Sequence, residues 1–506
     1  MNLRRLLFLG HRWLGIVLCL FMALWFVSGV VMMYVGYPKL TTEERLRSLP
    51  ALANERCCVS PVEALQALPA GFGVRGLRLT SIGGEAYFIA SGGKNRFAAV
   101  HAAKGQILGE VDDALARRSA AGFAPNARIV GSERLSEDAW THSRAMDGHR
   151  PLFRIELADD ELKYLYVSAS TGEVVRDVSL TEYRWNWLGA WLHWLYPLRG
   201  GLVDAWWTEI LIYTSLLASV LALSGLVIGL MRWRRQLYRH GSRSPYRNLM
   251  MRWHHWLGLG FGVVTLTWIA SGLFSMNPWK LFDSGASKPL EQKWQPQSTW
   301  LTANVAGLLE CFRQHGLAAS ELEWRPFAGD LLVQARTASA SRLLQNPSGC
   351  APVAALEADI VQRAGEALMP QARLVEAHWQ TEYDWHYYAR VPHTMGGHQE
   401  KSLPVLRLRF ADPAETWLYL DPASGRVVQR LDSHLRVKRW LFALFHSWDW
   451  LPLLQSRPIW DVLLVLASLG GLAISLSGLV LGWRRLARPR SAAAGRALKP
   501  EGCVDS

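Results

Sequence analysis

Charge is scarce in this 506-residue chain: Asp, Glu, Lys and Arg make up 19% of it, while half is hydrophobic. Soluble domains carry about a quarter charged residues, so a soluble enzyme of this size is excluded. Four runs lack Asp, Glu, Lys and Arg entirely: Trp13 to Tyr34, Ile210 to Met231, Trp253 to Asn277 and Val462 to Trp483. Each reaches the ~20 residues that span a hydrocarbon core about 30 Å thick. The absence of acids from these runs, and of broken helices, argues against a transporter. There is no CxxC, which weakens a thiol-redox or zinc reading, and no GxGxxG between a strand and a helix, so no nicotinamide or flavin fingerprint. Disorder is excluded by the 11% of aromatic residues, 25 of them Trp.

The net charge of +13 clusters at the ends of the apolar runs, which speaks for a lipid boundary and against nucleic acid. Arg4, Arg5 and Arg12 precede the first run. Arg232, Arg234, Arg235, Arg239, Arg243, Arg247 and Arg252 lie between the second and third, and Arg484, Arg485, Arg488 and Arg490 follow the fourth. The positive-inside rule places these segments and both termini in the cytoplasm. The first run is too long for a signal-peptide core, and Met32-Met33-Tyr34 is a poor cleavage site. It is therefore expected to remain as a helix. The predicted order is a cytoplasmic start and helix over 1–34, an exported domain over 35–182, an interfacial segment over 183–207, and a helix over 208–231. A basic loop over 232–251, a helix over 252–277 and a second exported domain over 278–433 follow. An interfacial segment over 434–459, a helix over 460–483 and a cytoplasmic tail over 484–506 complete it. For a bacterium this is a multi-pass inner-membrane protein with periplasmic domains. Of the exported cysteines, Cys311 and Cys350 are expected to pair, whereas adjacent Cys57 and Cys58 are poorly placed to bond one another.

The chain matches itself. His11-Arg12-Trp13-Leu14-Gly15 corresponds to His254-His255-Trp256-Leu257-Gly258, and the offset holds for Trp25 with Trp268 and Ser28-Gly29 with Ser271-Gly272. Trp187, His193, Trp207 and Ser224-Gly225-Leu226 correspond to Trp440, His446, Trp460 and Ser477-Gly478-Leu479 at a second constant spacing. The expected fold class is membrane α-helical: four transmembrane helices in two parallel internal repeats, with two α+β exported modules. Gly76 to Ala90, Leu331 to Arg336, Arg154 to Leu157 and Arg407 to Phe410 alternate as strands do, and Pro61 to Leu68 and Ala354 to Leu368 are expected to be helical.

Four histidines occupy matched positions at membrane boundaries: His11 with His254, and His193 with His446. Singly, each is equally an amphipathic residue of the aromatic belt. As pairs brought together by a two-fold axis, they would face across a gap that suits a haem with two axial histidines. His255 is the alternative to His254, since about 100° per residue keeps both from one gap. Arg12, Arg252 and Arg439 are candidates for the haem propionates, or equally topology signal. The Ser-Gly pairs would admit a helix backbone or a flat macrocycle. Zinc or non-haem iron would ask for three or four ligands, usually with Cys or carboxylate. His11 and Ser28 are 17 residues apart, about 25 Å of rise, so two haems at these levels would connect the faces of the bilayer.

The opening HRWLG with its Trp and Ser-Gly, the Leu-His segments before spans ending SGLVIGLMRWRR and SGLVLGWRR, and the strands YLYVSASTGEVV and WLYLDPASGRVV resemble the PepSY-associated transmembrane family. That resemblance implies an inner-membrane ferric-siderophore reductase binding two b-type haems, with His11, His254, His193 and His446 as iron ligands. It also implies a ferric-siderophore or another iron chelate as the substrate, and a quinol or cytoplasmic reductase as donor. Tyr166 with Gly172 and Tyr419 with Gly425 match the PepSY strand turn. The alternative is a non-enzymatic PepSY protein that binds an exported partner or inhibits a peptidase. His378, His386, His393 and His398, among Trp379, Tyr383, Trp385, Tyr387 and Tyr388, form a candidate surface for a chelate or released metal, with Trp140, His142 and His149 as counterpart. An aromatic, partly buried strand and loop accounts for the same residues.

Overall fold

The computed structural model describes residues 3–53, 57–199, 202–285, 303–345, 349–394, 397 and 400–487. Two compact units emerge: Met1–Val30, Leu192–Pro278 and Leu441–Ser506 form one, and Val31–Trp191 with Trp279–Trp440 the other.

The first unit is helical. α1 (Leu3–Tyr34), α2 (Trp207–Arg232), α3 (Leu249–Ser275) and α4 (Ile459–Leu486) are each long and apolar enough to cross a membrane. They extend each predicted run outward to the arginines at its ends. In α3 the start is set by Asn248, whose side chain accepts the Met251 N–H. α3 packs against both α2 and α4, and Leu18, Met22, Ala218, Leu221 and Ile269 form a buried cluster between helices.

In the second unit, three antiparallel sheets carry the core. β1 (Val74–Ile82), β2 (Glu85–Gly92), β3 (Arg96–His101), β4 (Arg128–Leu135), β5 (Leu152–Ala158), β6 (Leu162–Ser168) and β7 (Val174–Ser179) come from the first half of the chain. β8 (Glu321–Phe327), β9 (Asp330–Arg336), β10 (Ser341–Leu344), β11 (Leu374–Gln380), β12 (Val405–Phe410), β13 (Trp417–Asp421) and β14 (Arg426–Leu431) come from the second. The orders are β10-β9-β8-β1-β2-β3, β4-β5-β6-β7 and β11-β12-β13-β14. β1 pairs with β8, Leu77 opposite Trp324, so the two segments expected as separate exported domains share one six-stranded sheet. Gly76 to Ala90, read as one alternating stretch, is a hairpin instead. Gly83 and Gly84 both take positive φ (57° and 91°), a turn that L side chains resist and that reverses the strand. Alternation then sorts its residues by face: Leu77, Leu79, Phe88 and Ala90 join the cluster under the helix Val305–Gln314, and Ile82, Tyr87 and Ile89 join Leu115 of the helix Asp113–Phe123. Cys311 and Cys350 are bonded, Cα atoms 5.7 Å apart. Cys57 and Cys58, expected to be poorly placed to bond one another, are joined as well.

A loop of the second half is clamped to the first at His393. Its carbonyl accepts the Gly36 N–H at 2.7 Å, and its ring lies 2.8 Å from Glu44 and 3.3 Å from Glu182. The hydrogen bond with Glu182 outweighs burial and, with the charge of Glu44, raises the His393 pKa from 6.5 to about 9. Asp177 nearby is raised to about 7, by burial and then by Glu44 and Glu182. A raised folded-state pKa means stability present at low pH and lost as pH rises through the folded value. Thermal unfolding in detergent should therefore weaken from pH 6.5 to 9.5, and H393Q should flatten the upper part of that decline; an unchanged slope in H393Q would exclude His393 as its source.

Candidate functional site

In the helical unit, His11 near the start of α1 meets His254 near the start of α3, with ring centroids 6.4 Å apart. His193, which ends the short helix Ala190–His193, meets His446 of Phe445–Ser447 at 6.2 Å. Both latter segments are pinned alike. The chain reverses two residues after each histidine through a left-handed residue, Leu195 (φ 50°) and Trp448 (φ 48°). The indole N–H of Trp207 donates to the Trp194 carbonyl at 2.7 Å, and that of Trp460 to the Ser447 carbonyl at 3.2 Å. Trp25 donates to the carbonyl of His193 itself at 3.1 Å.

Every one of these rings rests on a Ser-Gly pair of another segment. Nδ1 of His11 lies 3.2 Å from Ser224 Oγ, that of His254 2.8 Å from Ser477, that of His193 3.0 Å from Ser28, and that of His446 3.2 Å from Ser271. Each serine hydroxyl in turn donates one turn back along its own helix, to the carbonyls of Leu221, Ile474, Trp25 and Trp268. Because that proton is engaged, the serine oxygen is the acceptor and the imidazole Nδ1–H the donor. Nε2 is then the nitrogen with a lone pair, the tautomer that a metal takes. The adjacent glycine leaves room for the ring most clearly at Gly225. A Cβ added at Gly225 would lie 2.7 Å from His11 Cε1, at Gly272 3.3 Å from His446, at Gly478 3.4 Å from His254, and at Gly29 3.8 Å from His193. The Ser-Gly pairs, expected as packing or macrocycle contacts, thus underlie the imidazoles; their matched spacing in the sequence marks the pairs but not which histidine each one meets.

A cavity of about 600 Å³ opens beside His11 and His254, with Arg12, Arg232, Arg484 and Arg485 in its lining. In the sequence the last three carry topology signal alone. Arg252, expected beside them, is not in that lining. Arg439 belongs to the other unit, where its guanidinium lies over Tyr388, 4.5 Å from the ring centre. His255 also borders the cavity, but both of its nitrogens are engaged, Nδ1 with Ser244 Oγ and Nε2 with the Gly229 carbonyl, each at 2.9 Å. It fixes the loop before α3, and the ring paired with His11 is that of His254.

The histidines of the aromatic stretch do not converge among the described residues. His378 is exposed on β11. His386 packs edge-on between Trp417 and Trp440, at 5.3 and 6.0 Å, and His393 holds the two glutamates. His398 lies outside the described residues. Of the counterpart, Trp140 is buried against Trp187, His142 meets Glu137, and His149 stacks on Phe97. Tyr166 donates to Asp138 at 2.6 Å and Tyr419 stacks on Tyr387, while Gly172 and Gly425 take the positive φ (77° and 63°) of the strand turns.

Comparison with protein families matches residues 8–348 to the family described as PepSY-associated TM region. Comparisons with curated proteins and with solved structures give no match. With more than half of its length covered by that match and four apolar helices long enough to cross a bilayer, the chain is a membrane-embedded protein and belongs to the PepSY-associated transmembrane family.

Proposed function

We propose that the protein is a di-haem inner-membrane oxidoreductase that passes electrons across the bilayer to reduce a ferric-siderophore or other ferric chelate outside it. The carrying observation is one arrangement made four times, a histidine whose Nδ1 is held by the serine of a Ser-Gly pair and whose ring is matched with another 6.2–6.4 Å away. A metal–imidazole bond is about 2 Å long, so two rings sharing one metal lie roughly 6 Å centre to centre. His11 and His254 would hold one haem b, and His193 and His446 the other. Arg12, Arg232, Arg484 and Arg485, which line the cavity, would supply guanidinium groups for the propionates at the first site. A haem with two axial imidazoles supplies one-electron transfer between ferric and ferrous iron.

The chain itself orients the imidazoles and sets their tautomer through the four serines. The matched spacings support two parallel repeats, and the arginine-rich helix ends support cytoplasmic termini; on that orientation the His11 pair would face a quinol or cytoplasmic donor. Protein purified in detergent from haem-replete cells is expected to be red, with two haems per chain and a Soret band that shifts on dithionite. Colourless protein would end this reading.

A further inference from the structure

Among the described residues, one set of three side chains brings metal-ligating atoms within 4.8 Å of one another: Cys311, His315 and Cys350. It lies wholly in the sheet-bearing unit and rests on nothing in the haem reading. Cys311 is in the last turn of the helix Val305–Gln314, whose Val305, Leu308, Leu309 and Phe312 are buried in the core. His315 follows four residues later and so returns to the same face. Its Nδ1 lies 2.9 Å from the Cys311 carbonyl and 3.7 Å from Cys350 Sγ. Cys311 is buried, while His315 and Cys350 are exposed.

In the disulfide the two sulphurs ligate nothing. We propose that reduction of Cys311–Cys350 converts these three residues into a site for a borderline divalent cation of the zinc type. Two thiolates and an imidazole are a zinc donor set that leaves a fourth position for water, and the exposed side of the cluster supplies that opening. The end of the helix adds the negative pole of its dipole beneath the ion. The two states exclude each other, because Zn–S bonds of about 2.3 Å set tetrahedral thiolates roughly 3.7 Å apart, well beyond a sulphur–sulphur bond. The reductant is a dithiol. One of its thiolates attacks the exposed Cys350 sulphur, the Cys350–Cys311 bond breaks, and Cys311 leaves as thiolate. The second thiol of the reductant then displaces Cys350 and closes the reductant's own disulfide, so two electrons enter the protein. The cation binds two thiolates and a neutral imidazole that gives up its hydrogen bond to the Cys311 carbonyl and carries its proton on Nε2 instead, and the protons of the freed thiols go to solvent.

The test is a cobalt(II) titration of full-length C57S/C58S/C503S protein, oxidised and after treatment with a phosphine reductant, read by bound cobalt per chain and by cobalt X-ray absorption, which haem does not obscure. The reduced form should take up one cobalt with two sulphurs in its shell, and the oxidised form none. H315A should still form the disulfide yet bind cobalt about tenfold more weakly or worse, and C350S should lose one sulphur from that shell. A reduced protein that takes up no cobalt, or H315A binding as tightly as its parent, would overturn the proposal and leave a structural disulfide with a helix-end histidine.

Discussion

On the proposed di-haem reading, replacing His446 by alanine is expected to leave one haem per chain instead of two and to stop reduction of an external chelate. The substitution removes the ring that Ser271 and the Trp268 carbonyl hold and leaves His193 without its mate. The Soret absorbance per chain should fall to about half, because axial ligation by histidine is what retains a b-type haem. H11A should do the same at the other level. H255A is the discriminating control: with both ring nitrogens engaged by Ser244 and Gly229, its loss should disturb the loop before α3 and spare both haems. Should H193A and H446A keep full colour and activity, the non-enzymatic reading would replace the reductase.

Loss of Glu321 should produce the largest change in stability. Its carboxylate is fully buried on β8 and meets Arg45 at 2.6 Å, Arg78 at 2.9 Å and Arg336 at 2.6 Å. Burial alone would raise its pKa, but Arg78, Arg45 and Arg336 outweigh it and hold the carboxyl well below the ordinary range. E321A leaves these guanidinium groups without their shared carboxylate, Glu173 remaining for Arg78 and Glu323 for Arg336. Breaking a buried pair from one side costs about 3–5 kcal/mol. Denaturant unfolding of the full chain, followed by tryptophan fluorescence, should show a loss of that order in E321A and a smaller one in E321Q, which keeps an acceptor oxygen. Equal midpoints for all three proteins would mean that the network contributes no net stability.

Much of the fold was legible. Runs without charge announced the four helices, and alternation located β5, β9 and β12, because burial of one face leaves its period in the residues. The hairpin at Gly83-Gly84 is signalled in the sequence by its two glycines. Pairing of β1 with β8 left no such trace, since either edge of a sheet presents the same backbone groups to a partner. At the site, matched spacing picked out the four histidines and the four Ser-Gly pairs but not their relation to each other.

By itself the sequence determined the membrane helices, the strand-forming segments and which residues recur at matched spacing, because hydrophobicity and period act between neighbours along the chain. Only the tertiary structure decided that each histidine rests on a serine 165 to 223 residues away, that His254 rather than His255 meets His11, and that both halves share a sheet. Those outcomes depend on which surfaces close against which, and on a hydrogen-bond chain that fixes the proton on Nδ1; neither is carried by any local pattern.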